Sequence, residues 1–469
     1  MTEAGPAAPL RLRLRGGGSI ELDAEALRHP RSVRFGGSVL TRYEDVTHVV
    51  AGPGAARLGT RAGSFWFRAS DFAERGGPGL LARELRARIA GRPGGFEQLE
   101  RMARLDGLAA RPGRARLGVA LALACTVVFG LQLADPAVGY TGLFSALLVR
   151  LGEPWRLVTA NFLHASATHL FLNASALAVL GVVAERSLGA HGGSFVVALS
   201  GLGAMGASYA AGYDDALGAS GLVYGFAGAL LWLELRAPEA LPVTWRLPRR
   251  LFVGLLALET AILLGVPGIA HAAHAGGFLA GALGAAAVGP RLRSEARPRR
   301  VLAVANALAL GVALLAAAAW ARSVVAPDVP ALARRGEALL AMDEVPALFL
   351  NNEAWRIAVA RRSDPSALRV AERLAERAAE ATNFADPVVL DTLAEVHFAS
   401  GRTDLALRLA DAAVALAPND PYYREQRQRF AGRPAAAERP SEPAPPVAPT
   451  PPHRAPRQEP SEPAPGLRV

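Results

Sequence analysis

Three sets of polar side chains lie inside otherwise apolar stretches of the chain. His169 and Asn173 are four residues apart. On a helix they project from one face, about 6 Å from each other, and both can donate hydrogen bonds toward a common point. Ser220 stands in Gly218-Ala219-Ser220-Gly221. The missing side chains at the glycines let a neighbouring helix and a peptide backbone come close to its hydroxyl. His274 is followed by Gly277 and Gly281, a Gly-x-x-x-Gly face, and Gly221 with Gly225 supplies a matching one. Close packing of these two faces would bring His274 to Ser220. A hydroxyl beside an imidazole is a pair that can pass a proton. A polar side chain inside a bilayer costs on the order of a few kcal/mol, so residues of this kind point to function.

The composition narrows the chemistry. The 469 residues include 51 basic ones, and all are arginine, because the sequence contains no lysine. That excludes a Schiff-base lysine, a lysine-dependent phosphate loop and a Ser–Lys dyad. The lone cysteine, Cys125, excludes an intrachain disulfide and a cysteine-ligated zinc site, and reads as a small buried apolar residue. No His-Glu pair occurs, so the His-Glu-x-x-His helix of a zinc protease is absent. Asp214 and Asp215 are not in the Gly-x-Gly-Asp setting of an aspartyl intramembrane protease. A transporter would need ionisable residues at mid-depth, and only Glu259 fits that pattern. Neither metal nor cofactor is implied.

Half of the chain is hydrophobic (51%) and only 20% is charged, which favours a membrane protein. Apolar segments over 116–135, 157–184, 193–212, 217–235, 251–270, 271–289 and 301–325 are expected to form seven spans, each long enough to cross a hydrocarbon core. Pro267-Gly268 marks the turn between the fifth and the sixth. Arginines 111, 114 and 116, then 236, 246, 249 and 250, then 291, 293, 297, 299 and 300 all fall on one side if the amino terminus is cytoplasmic. Asp214-Asp215 and the loop after the first span fall on the other side, and so does everything beyond 325. The net charge of +10 is thereby a matter of membrane topology rather than nucleic-acid binding.

The flanks differ in character. Residues 10–14, 19–22, 32–35 and 64–67 alternate like strands, and Leu81, Leu85 and Ile89 make one helical stripe. Over roughly 10–92 this pattern resembles a bacterial PH-like small barrel. Beyond the seventh segment, Leu390, Leu393, Ala394, Gly401, Ala406, Ala413 and Pro418 match the spacing of a tetratricopeptide repeat, with a more degenerate copy over 352–381. Such a short array suits docking of a protein partner or substrate. The Pro-, Glu- and Arg-rich residues from about 431 onward are expected to be disordered.

Trp155-Arg156, His169-x-x-x-Asn173, Gly218-x-Ser220-Gly221 with Tyr224, and Ala273-His274-x-x-Gly277-x-x-x-Gly281, in that order on successive segments, together resemble the rhomboid intramembrane serine proteases over about 116–290. The extra seventh span matches the six-plus-one members. The resemblance implies a mainly α polytopic membrane bundle with a small N-terminal β-barrel-like domain and a C-terminal α-helical repeat region. The expected division is 1–112, a cytoplasmic β domain; 113–290, the six-span core; 291–327, a cytoplasmic loop and the seventh helix; 328–430, the repeats; and 431–469, the tail. The resemblance makes Ser220 the nucleophile and His274 its base. His169, Asn173 and the Ser220 backbone N–H become the oxyanion donors, and Tyr224 the ring packed on the imidazole. Trp155 and Arg156 match a structural motif of the first external loop, and Glu185 a structural acid. His164 and His271 are left structural, and Glu259 has no counterpart. The implied protein is a multi-pass inner-membrane endopeptidase that cuts single-span membrane proteins near the outer end of their helix. The alternative is a catalytically silent relative that binds transmembrane helices and recruits partners through its repeats.

Overall fold

The structure is a computed structural model that describes residues 9–32, 36–110, 115–213, 215–246, 249–264, 269–290, 299–360 and 364–432. The expected turn at Pro267-Gly268, the expected strand residues Val33, Arg34 and Phe35, arginines 111, 114, 291, 293 and 297, Asp214 and the tail from 433 lie outside the described residues. Contacts group the chain into two units. The first comprises Met1–Leu123, Phe171–Ala207 and Ser220–Ala309, and the second Ala124–Leu170, Ser208–Ala219 and Leu310–Val469.

Among the described residues of the first unit, seven strands form two antiparallel sheets. Strands β1 (Leu10–Arg13), β2 (Ser19–Leu22), β3 (Ala26–Ser32) and β4 (Gly36–Arg42) pair in sequence order; so do β5 (Val46–Ala51), β6 (Ala55–Thr60) and β7 (Gly63–Arg68). Alternation decides the inward face: Leu12, Ile20, Leu22 and Leu58 are buried while Arg11 and Arg13 face solvent. Both sheets share one core with α1 (Gly77–Ala90), which contributes Leu81, Leu85 and Ile89 as its stripe required. Strands β4, β5 and β6 were not read from the sequence; in β5, Val46, Thr47, His48 and Val49 are all buried, so it shows no alternation. Helix α2 (Gly95–Ala110) follows, and its Asp106 accepts from the buried His48 at 2.8 Å.

The apolar helices are α3 (Leu117–Ala134), α7 (Ala167–Ala210), α8 (Ser220–Arg236), α9 (Arg249–Leu264), α10 (His271–Val288) and α11 (Arg299–Val325); between α3 and α7 lie the short helices α4 (Pro136–Gly142), α5 (Ala146–Arg150) and α6 (Arg156–Thr159). Three of them, over Leu117–Ala134, Ala167–Ala210 and Arg300–Val325, are long and apolar enough to cross a membrane by length and composition. The second segment begins at 167 rather than 157, because 156–162 winds into α6 and a 3-10 turn, so His164 precedes the helix instead of lying on it. The second and third segments are two helices within Ala167–Ala210 that meet at a kink at Gly189, whose φ of 78° only glycine adopts readily. Helix α8 has 17 residues, or about 25 Å at 1.5 Å per residue, less than the thickness of a hydrocarbon core, and α9 has 16 described residues. Glu259 is exposed on α9.

Glycine contacts set the packing of the first unit. A Cβ on Gly118 would meet the Leu177 carbonyl oxygen at 2.2 Å, so α3 and α7 cross with backbones touching. At that crossing the Glu185 carboxylate accepts from the Leu117 N–H at 2.8 Å, which caps the first turn of α3. Near the end of α8, Glu234 forms a buried pair with Arg246 (2.9 Å). The same guanidinium donates to Thr47 Oγ1 and the Thr60 carbonyl in strands β5 and β6, each at 2.9 Å.

In the second unit, six further helices share one core: α12 (Val329–Leu340), α13 (Ala347–Ala358), α14 (Pro365–Ala381), α15 (Pro387–Ala399), α16 (Thr403–Leu416) and α17 (Pro421–Phe430). Asp364, Asp386 and Asp420 each cap the helix that opens with the following proline, a start signal visible in the sequence. Leu390, Leu393, Ala394, Ala406 and Ala413 are buried where α15 and α16 pack, and Gly401 turns between them at φ 76°.

Candidate active site

Helix α8 begins at Ser220, so the hydroxyl sits at the helix N-terminus, and Gly218 before it has φ 122°, a conformation open to glycine. Helix α10 approaches along the glycine faces. A Cβ at Gly277 would stand 2.2 Å from the Gly221 carbonyl oxygen, and one at Gly281 would stand 2.0 Å from that of Gly225. Any side chain at either position would part the helices. With backbones this close, His274 Nε2 lies 2.8 Å from Ser220 Oγ. The Tyr224 ring stacks on the imidazole with centroids 4.4 Å apart and planes 11° apart, which fixes the ring plane so that Nε2 faces the hydroxyl. His271 meets His274 edge-on at 6.5 Å.

His169 and Asn173 occupy the first two turns of α7, one turn apart, with Asn173 buried and His169 half-buried. His164 is buried in the preceding loop. Its backbone N–H donates to Gln132 Oε1 at 3.0 Å, while Gln132 donates back to its carbonyl, and its ring lies edge-on to His169 with centroids 5.1 Å apart.

Trp155 and Arg156 organise the loop between α3 and α7. The indole N–H donates to the Thr141 carbonyl at 3.1 Å. Arg156 is fully buried and donates to the carbonyls of Tyr140 (2.8 Å) and Leu143 (2.6 Å). Its ionic partner, Glu153, was not singled out from the sequence. Glu153 takes Arg156 at 2.5 Å, Arg335 at 3.0 Å and Arg356 at 3.1 Å, and Glu353 joins the last two at 3.1 and 2.8 Å. Burial pushes the Glu153 carboxyl up, but the three guanidinium groups outweigh it and hold it below the usual carboxylate range. The i,i+3 spacing of Glu153 and Arg156 was the one local signal. The other partners are about two hundred residues away in sequence.

Residues 151–291 match the rhomboid domain. Over this part of its length the chain is similar to proteins of the rhomboid family. It is 28% identical over 176 residues to the rhomboid protease GluP of Bacillus subtilis, covering 36% of this chain and 32% of that protein. It is 30% identical over 166 residues to the rhomboid protease AarA of Providencia stuartii (30% of this chain, 59% of that one) and 30% identical over 154 residues to RHOMBOID-like protein 5 of Arabidopsis thaliana (31% and 48%). The matched stretches span less than two thirds of these relatives' own length.

Proposed function

We propose that this chain is an intramembrane serine endopeptidase that cleaves single-span membrane proteins within or near the outer end of their helix. The observation that carries the proposal is the 2.8 Å approach of His274 Nε2 to Ser220 Oγ on two glycine-faced helices. In this reading Ser220 Oγ attacks the scissile carbonyl carbon as its proton passes to Nε2. The tetrahedral intermediate collapses, the C–N bond breaks and the imidazolium returns the proton to the leaving amine. Water, deprotonated by the same nitrogen, then hydrolyses the acyl-enzyme and restores Ser220. The Ser220 backbone N–H at the start of α8, the Asn173 amide and the His169 imidazole are the proposed oxyanion donors, each worth about 3–4 kcal/mol of barrier. Tyr224 holds the imidazole plane, and Trp155 and Arg156 hold together the loop between α3 and α7.

The proposed topology has a cytoplasmic amino terminus and residues 328–430 outside the cytoplasm. The β region is proposed as a PH-like cytoplasmic module, and the helices over 328–430 as tetratricopeptide-like repeats that dock substrates or a protein partner. Support for these finer readings is the shared core of the two sheets and α1, and the paired helices around Gly401. Ser220→Ala and His274→Ala are each expected to abolish cleavage of a reporter transmembrane protein in proteoliposomes. A fluorophosphonate probe should label the wild-type protein and leave Ser220→Ala unlabelled. Failure to label the wild-type protein, with no cleavage, would instead favour a silent helix-binding scaffold.

A further inference from the structure

The buried ion cluster of the second unit is unbalanced. Arg156, Arg335 and Arg356 contribute three positive charges and Glu153 and Glu353 two negative ones, all five being 8% exposed or less. The nearby Tyr140 adds no anion at neutral pH, since burial pushes its phenol up to about 12. A surplus buried cation is costly unless an anion is close by. Beside the cluster lies a cavity of about 480 Å³, lined by Trp155, Arg322, Ser323, Arg334, Arg335 and Arg356, with Glu153 at its wall. Asp328 also lines it, but its carboxylate is engaged as the cap of α12, accepting from the Ala331 N–H at 3.1 Å. Counting every ionic lining group, four arginines face two acids, so the cavity carries a net charge of +2.

The cavity sits at the end of an apolar helix. Ala319, Arg322 and Ser323 on one face of the last turns of α11, with Ala326 just beyond it, reach its wall. Two indoles bracket the same level: the Trp320 N–H donates to Thr141 Oγ1 at 3.1 Å, and the Trp155 N–H to the Thr141 carbonyl at 3.1 Å. Tryptophans anchored at the end of a spanning helix mark the headgroup layer of a bilayer. Arginine suits phosphate oxygens there, because its planar fork pairs with two of them at once.

We propose that this cavity is a phosphate-binding site, filled by the phosphodiester of an anionic phospholipid headgroup at the membrane–water interface. The phosphate supplies the missing charge of the Glu153–Arg156–Arg335–Glu353–Arg356 cluster. The exposed Arg322 and Arg334 close over it from the rim. Neither Ser220 nor His274 lines it, so its occupancy is tested without reading proteolysis.

The experiment uses the full chain purified in a neutral detergent and stripped of lipid, as wild type and as Arg322→Gln/Arg334→Gln. Both replaced side chains are exposed, so the variant should fold. Native mass spectrometry and thermal melting are recorded with phosphatidylglycerol, phosphatidylcholine and inorganic phosphate. The expected result is that phosphatidylglycerol is retained and raises the melting temperature of the wild type, that phosphatidylcholine does neither, and that the double variant binds phosphatidylglycerol roughly tenfold more weakly or worse. If inorganic phosphate alone reproduces the stabilisation in the wild type and loses it in the variant, the phosphate site stands and its source is a soluble anion. Equal retention of the two lipids, or equal binding of phosphatidylglycerol by both proteins, overturns the proposal.

Discussion

Gly277→Ala is the substitution whose effect the packing fixes best. Its Cβ would lie 2.2 Å from the Gly221 carbonyl oxygen, 2.9 Å from the carbonyl carbon and 3.0 Å from Cα. All three are backbone atoms that cannot swing aside. A carbon–oxygen contact needs about 3.4 Å, so α8 and α10 must part by roughly 1 Å. Gly221 adjoins Ser220 and Gly277 lies one turn beyond His274, so most of that displacement reaches the dyad. The 2.8 Å separation would open toward about 4 Å, beyond hydrogen-bond range. A misplacement of that size costs on the order of 10²-fold in rate, or about 2.7 kcal/mol of barrier. Overpacking should cost about 1–3 kcal/mol of stability, leaving the chain folded. The assay is reporter cleavage in proteoliposomes together with the rate of fluorophosphonate labelling. Gly311→Ala serves as the control, since its Cβ would meet nothing within 4 Å. Gly277→Ala cleaving within about threefold of the wild type would refute the argument that backbone contact sets the dyad distance.

Three further outcomes follow from buried charges. Glu153→Gln leaves Arg156, Arg335 and Arg356 to share one carboxylate, and should lower stability by about 3–5 kcal/mol in detergent melts of the full chain. Arg246→Met strands Glu234 and releases Thr47 and the Thr60 carbonyl, so strands β5 and β6 should lose amide-exchange protection; adding Glu234→Leu should restore most of it. Asp391 is pushed up to about 7 by burial, with Glu395 adding to the rise while the Tyr422 hydrogen bond and Arg429 oppose it. The folded state therefore holds a proton that the unfolded chain releases near its ordinary value. Stability from this group is greatest below about pH 4 and is lost, by on the order of 4 kcal/mol, as the pH rises to about 7. Asp391→Asn should flatten that dependence in pH-resolved urea unfolding and be the more stable protein at about pH 8.

Local pattern was enough for much of this protein. The alternation at 10–14 and 19–22 and the stripe through Leu81, Leu85 and Ile89 each state a period that the backbone obeys within a few residues. The glycine faces of α8 and α10 were legible for the same reason, because a Gly-x-x-x-Gly spacing says which side of a helix can be touched. The spans were less so. Hydropathy left a gap at 185–192, where Gly189 bends the chain, but it records how apolar a segment is, not where its helix starts, so the start of α7 beyond His164 could not be read from it.

What the sequence determined by itself is the set of chemical groups and the faces that carry them: a serine, histidines, an asparagine and the small residues beside them, on helices whose apolar length calls for a membrane. What only the tertiary structure decided is distance between remote parts of the chain. The approach of Nε2 to Oγ, the engagement of Arg246 with Thr47 and the gathering of Arg335 and Arg356 on Glu153 join residues 54 to 203 positions apart. Side-chain periodicity repeats within a few residues and decays with every turn and loop. Pairing across such separations is settled by which backbones can touch and which buried charges must meet.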